Sequence, residues 1–199
     1  MLRVRRDEWP VQRAATFNSL VKKVTIAAPG SYPVTGTTTT LPGSYNHPFA
    51  LAVDTVTGNV YVADTYNNAI QMVSGGVFST LAGSTSGVPG FADGVGTLAL
   101  FNHPNGVAVD PATGNVYVSD TYNQAVRMIV TKGAAAGTVV TLAGVGTVGN
   151  IVPGLLPGGL AFPYGIAVDP LLTTDGSGNA NPSGSLIISV DDAILTLPF

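Results

Sequence analysis

Short runs with an apolar residue at every second position set the pattern of this chain. Over residues 101–144, Val107 and Val109 alternate with small neighbours, and Val116 and Val118 repeat the alternation after a polar break. Period-two spacing of β-branched residues marks half-buried strands. The pattern predicts four strands there, over 106–110, 115–120, 125–130 and 138–142. Between the first two stands Asp110-Pro111-Ala112-Thr113-Gly114-Asn115. Proline suits a turn position of fixed φ, and glycine one of positive φ.

Residues 45–83 read YNHPFALAVDTVTGNVYVADTYNNAIQMVSGGVFSTLAG and present the same pattern. His47 maps onto His103, Asp54 onto Asp110 and Asp64 onto Asp120, each 56 positions on. A third, degenerate copy opens with FPYGIAVDP at 162–170. Its DTYN turn is shortened to Asp191-Asp192, and its fourth strand is missing. Residues 34–43 carry a stretch like the outer strand at 136–144. Self-similarity of this kind makes each copy one supersecondary unit that buries its faces against its neighbours. The expected class is all-β, with four-stranded antiparallel blades and helix at most in the N-terminal segment. The expected organisation is a basic arm or extra strand over 1–33, an outer strand at 34–43, and blades at 45–83, 101–144 and 160–199. Val53, Val62, Val109 and Val118 hold matched inward positions and are expected to be largely buried.

The motifs now become specific. GNVYVADTYNNAI, GNVYVSDTYNQAVRMI and the link STLAGSTSGVPGFADGVGTLALFNHPNGVAVDP resemble NHL repeats. The resemblance runs from about residue 35 to 199, close in the first two copies and loose in the third. It implies a β-propeller, usually of six blades, and leaves function open. About three blades do not close such a ring. The chain therefore reads as a partial propeller or half of a six-blade ring, with open sheet edges that invite association. Residues 36–41 are expected to pair as an edge strand, either beside 195–197 of a neighbouring chain or on the first blade.

Composition narrows the function classes. Apolar residues make up 45% of the chain and charged ones 10%, which suits a turn-rich sheet protein and not a disordered one. Cysteine is absent, so disulfides and thiolate metal sites are excluded. No run of about eighteen apolar residues offers a membrane span. The net charge of −3 divides unevenly. Residues 1–44 carry +4, from Arg3, Arg5, Arg6, Arg13, Lys22 and Lys23 against Asp7 and Glu8. Residues 45–199 carry −7, with only Arg127 and Lys132 against nine aspartates. Such repeats lack the cations that replace phosphate counterions, so nucleic acid is not an expected partner. The arginines near the N-terminus resemble those of an organelle transit segment, but Asp7 and Glu8 interrupt them, and the apolar stretch of a secretory signal is missing. Extracellular and organellar locations both stay open.

Chemistry-bearing residues are few. His47 and His103 each precede a proline that starts an inner strand, and imidazoles at one end of a channel are weak metal-ligand candidates. Phe162 takes that place in the third copy, which breaks the ring. Asp54, Asp64, Asp110, Asp120 and Asp169 could bind calcium, but an aspartate at a strand end more simply accepts turn N–H groups. Asp93 reads as an Asp-Gly turn. No Gly-x-Ser-x-Gly elbow occurs, and neither histidine has an evident catalytic partner. Some NHL-like propellers are metal-dependent lyases or lactonases; the repeats here have too few histidines and no glutamate for that carry-over. The expectation is a non-enzymatic module without a cofactor, a structural or scaffold subunit acting through protein partners or self-association. The alternatives are a ligand- or peptide-binding propeller assembled from two chains and, behind it, a metal-dependent enzyme.

Overall fold

The computed structural model describes residues 11–15, 19–26, 36–144, 160–169, 184–191 and 193–198. Fifteen strands run in chain order through the described residues. They are β1 (Val11–Ala15), β2 (Leu20–Ile26), β3 (Gly36–Thr40), β4 (Pro48–Val53), β5 (Val60–Asp64), β6 (Ala69–Ser74), β7 (Val77–Gly83) and β8 (Gly94–Val95). After them come β9 (Pro104–Val109), β10 (Val116–Asp120), β11 (Ala125–Ile129), β12 (Thr138–Ala143), β13 (Ile166–Asp169), β14 (Ser185–Val190) and β15 (Ala193–Pro198). Single 3₁₀ turns are the only helical elements among these residues. Four antiparallel sheets result, in the orders β1-β2-β3, β4-β5-β6-β7, β8-β12-β11-β10-β9 and β13-β14-β15. The fold is all-β, built as blades of a partial propeller.

The predicted strands of the second clean repeat match β9 to β12 within two residues at each end. β8 has no counterpart in the prediction. It pairs outside β12, Val95 opposite Thr138 and Gly94 opposite Val139, adding a fifth strand to that sheet. Two further strands lie within the segment read as an arm. β1 and β2 pair with each other, and β3 pairs with β2, not with the first clean blade, as Lys22↔Thr40 through Ile26↔Gly36. The reason is visible once the register is known. VQRAATFNSLVKKV at 11–24 aligns with VYVSDTYNQAVRMI at 116–129, with Ala15 at the aspartate position and Lys22 at the arginine position. β1 abuts β4 as β5 abuts β9. The N-terminal sheet thus supplies the second, third and fourth strands of a blade.

The inner strands β4, β9 and β13 lie side by side and define the channel side of the arc. Between adjacent sheets sit three apolar layers. One holds Val21, Val60, Val62 and Val73, the next Tyr61, Ile70, Phe101, Val116, Val118 and Ile129, and the last Tyr117, Val126, Leu186 and Ile188. Val62 and Val118, at the centre of β5 and β10, are fully buried. A fully buried valine contributes about 1.5–3 kcal/mol. Val53 and Val109 differ from expectation and are only half-buried. Each is the last residue of an inner strand, followed by a turn whose three residues after the aspartate are open to solvent.

Candidate functional site

Each clean blade places chemistry at both ends, and the two ends differ. At one end lie the turns joining first and second strands. Asp54 accepts from the Val56 and Thr57 amides at 2.9 and 3.4 Å and from the Thr57 hydroxyl at 2.7 Å. Asp110 accepts from Ala112 at 2.9 Å, Thr113 N at 3.3 Å and the Thr113 hydroxyl at 2.6 Å. Burial pulls the Asp54 carboxyl upward, but the Thr57 and Val56 donors outweigh it and hold it below the usual carboxylate range. Asp169 ends β13, opposite Ser185.

At the other end, the turn between second and third strands meets the entry to the first strand, since Pro48 registers with Asp64 and Pro104 with Asp120. Asp64 accepts from the Asn46 amide at 2.7 Å, Asn67 Nδ2 at 2.9 Å and Gln71 Nε2 at 3.0 Å. Asp120 accepts from the Asn102 amide at 2.7 Å, Asn123 Nδ2 at 2.8 Å and Arg127 at 2.9 Å. Burial pushes both carboxyls up, Asp120 to about 6, against the pull of those donors. Both carboxylates are fully enclosed by chain groups.

The same turn clasps the next blade. The Thr65 hydroxyl donates to the Pro104 carbonyl at 2.8 Å, and the Thr121 hydroxyl to the Pro163 carbonyl at 2.6 Å. The residue closing the turn is left-handed in three copies, Ser19, Asn68 and Gln124, at φ 53°, 52° and 51°. Asn68 Oδ1 accepts from the His103 amide at 2.8 Å, and Ser19 Oγ from the His47 amide at 3.4 Å. These junction residues were missed by the sequence reading. Their signal was there: a threonine one place after the aspartate and a short polar residue four places after it.

Between these clasps an arc of rings crosses the end of three blades. His47 lies 4.6 Å from Tyr66, Tyr66 5.2 Å from His103, His103 4.3 Å from Tyr122, and Tyr122 6.1 Å from Phe162, centre to centre. Tyr66 and Tyr122 are 47% and 53% exposed, so these large rings face solvent. His47, His103 and Phe162 all sit at positive φ, 49°, 50° and 42°. The shared conformation, at a cost of order 1–2 kcal/mol for an L-residue, turns each ring toward its tyrosine neighbour. Burial holds the His103 imidazole below its usual range. Among the described residues no three of His, Asp or Glu come together as a metal-ligand set. The repeat brings the imidazoles onto tyrosines instead of onto each other.

Inward of the arc, the next residues of the three inner strands line a cleft of about 380 Å³. Phe49 and Tyr164, both exposed, flank Asn105 there. The floor includes Gly106, where an added Cβ would run into the Tyr164 carbonyl. No helix among the described residues is long and apolar enough to cross a membrane.

Residues 101–127, from the ring of Phe101 through the clasp to Arg127, match the NHL repeat family. The Arabidopsis thaliana protein named SUPPRESSOR OF QUENCHING 1, chloroplastic, is 35% identical over 127 residues, covering 62% of this chain and 12% of that protein. Human NHL repeat-containing protein 2 is 34% identical over 105 residues, 52% of this chain and 13% of that one. The chain thus spans about an eighth of the length of these relatives. A Bacteroides thetaiotaomicron protein of unknown function superposes with a TM-score of 0.58 at 21% identity, over 87% of this chain and 42% of that one. That likeness is one of fold.

Proposed function

We propose that this chain is a non-enzymatic NHL-type propeller module that works by binding a protein partner through its aromatic end. One observation carries the reading: five rings, alternating histidine and tyrosine and closing on Phe162, form a continuous arc across three blades, with both tyrosines and Phe162 exposed. Tyrosine offers large contact area with few rotamers to freeze, which is why such rings anchor interfaces. The blade interiors are filled and their carboxylates are bonded, so the exposed end is where the repeats leave chemistry available. As a scaffold or structural subunit, the module would hold its partner there while its blade edges contact further subunits.

A second reading has its own observation. The cleft between Phe49, Asn105 and Tyr164 is concave and ringed by two aromatics and an amide, which favours a small ligand or a peptide side chain in a propeller completed by a second chain. Affinity capture from the source cells separates the two. Tyr66→Ser with Tyr122→Ser should fold with an unchanged melting temperature and lose the partner retained by the wild type. Phe49→Ala with Tyr164→Ala should keep it. Equal capture by the tyrosine variant and the wild type would remove the arc from the function.

A further inference from the structure

His47 and His103 are held in one identical way. In each, Nδ1 lies 2.9 Å from Oδ1 of the preceding asparagine, Asn46 or Asn102. An amide oxygen only accepts, so Nδ1 carries the proton and the neutral ring presents the Nε2 lone pair. No described residue hydrogen-bonds either Nε2. The rings cannot swing away freely. Their backbones are fixed in the left-handed region, their amides are bonded to the preceding blade, and their faces are set against Tyr66 and Tyr122. Two preorganised acceptors therefore stand in the arc, their ring centres at most about 10 Å apart by the spacings through Tyr66. An extended polypeptide rises about 3.3 Å per residue and turns successive N–H groups to opposite edges, so two on one edge, at i and i+2, stand about 6.6 Å apart, within that span.

We propose that His47 and His103 act as paired neutral acceptors for main-chain N–H groups of an extended, uncharged peptide segment lying along the arc. This rests on the protein-binding reading above and names the chemistry of its partner. None of the five side chains that make the arc carries a fixed charge, so they offer an ionic segment no counter-charge. Tyrosine faces on either side take the apolar side chains of the segment. Protonation at Nε2 of His103 turns that acceptor into a donor and places a cation between the rings, so the segment is released as pH falls. A sugar hydroxyl can donate or accept and tolerates that reversal; a peptide N–H does not. The ionisable groups packed around the two rings are the phenols of Tyr66 and Tyr122. Beneath the asparagines lie Asp64, and Asp120 with Arg127.

The probe is a phage-displayed random dodecapeptide library selected on the full chain at pH 7.5, with the recovered peptides then synthesised. Their affinity, by fluorescence anisotropy, should fall at least tenfold between pH 7.5 and pH 5. His47→Phe with His103→Phe should lose them at both pH values while keeping the wild-type melting temperature, because Phe162 already occupies the same left-handed position. His47→Gln with His103→Gln retains an acceptor that does not titrate. It should bind at both pH values, and because Asp120 is still present it isolates the histidines as the source of the pH response. N-methylation of one engaged peptide amide should cost about tenfold. Recovery of no uncharged peptide, or equal binding by the Phe variant, overturns the proposal. So does pH-independent binding of neutral oligosaccharides in place of peptides. If the tyrosine variant loses its cellular partner while the Phe variant keeps it, protein binding stands and only the acceptor role fails.

Discussion

The two clean blades bury the same carboxylate and satisfy it differently. In the first, Gln71 reaches Asp64 with one N–H and leaves its own Oε1 without a partner. In the second, Arg127 takes the equivalent place. It bonds Asp120, the Leu100 carbonyl, the Ala92 carbonyl and Asp93, and its guanidinium lies 4.8 and 5.3 Å from the ring centres of Phe91 and Phe101. Asp93 in turn accepts from the Thr141 amide and hydroxyl. Arg127 thus ties the linker between the blades, which adds β8 to that sheet as a fifth strand, to the buried carboxylate. The comparison teaches that a blade's buried polar position can also anchor the chain segment that forms its outer edge.

The largest effect should come from Arg127→Leu. It leaves Asp120 buried with its cation gone and frees the segment around Asp93, so chemical denaturation should show a loss of about 3–5 kcal/mol. Gln71→Leu removes one neutral-to-charged hydrogen bond but also an unsatisfied oxygen, and should cost about 1–2 kcal/mol by the same measurement. If the two variants lose the same stability, the linker contributes nothing through Arg127. Asp93→Asn should fall below about 1 kcal/mol, because that side chain is half exposed and its ion pair is screened. Hydrogen exchange should nevertheless quicken at β8 and not at β7.

The smallest effect is in pH. The folded Asp120 carboxyl stands near 6, above an unfolded value of about 3.9. Between those values the folded chain holds more protons than the unfolded one, so this contribution is present at the acid side and lost as pH rises through about 6. The melting temperature should therefore drift down from pH 4.5 to 6.5. Asp120→Asn, less stable throughout, should reduce that drift. Asp54 and Asp93 sit below the usual range, so their contributions change at lower pH, whereas Asp64, also raised by burial, adds to the same downward drift.

Much of this fold was legible because the two clean copies agree at the turns after the first and second strands. Alternating valines gave the strands, and the Asp-to-Gly spacing gave the hairpins. The N-terminal sheet was harder to see. Ala15 replaces the aspartate and Phe17 the tyrosine, so only spacing and the pattern of strand residues remained as a signal. β8 depends on contacts between Arg127 and a linker about 35 residues earlier, which no local pattern encodes. A lone arginine inside the apolar strand AVRMI was the available hint. Of the site, the histidines were found for their metal-binding chemistry. Their pairing with tyrosines follows from the left-handed backbone that the preceding turn imposes, and a histidine before a proline does not announce that conformation.

The clasp between blades has a consequence for how such a chain can grow. Thr65 and Thr121 reach only a carbonyl at the start of the next blade, and Ser19 and Asn68 only an amide there. A backbone group is present whatever side chains the neighbour carries. Each blade therefore brings its own polar connector, and what it asks of its neighbour's sequence is the apolar face that completes the layer between them. A tandem duplication of one such unit yields a copy that already docks on its parent. Its interior is then free to diverge, as the glutamine and arginine of the two clean blades have done.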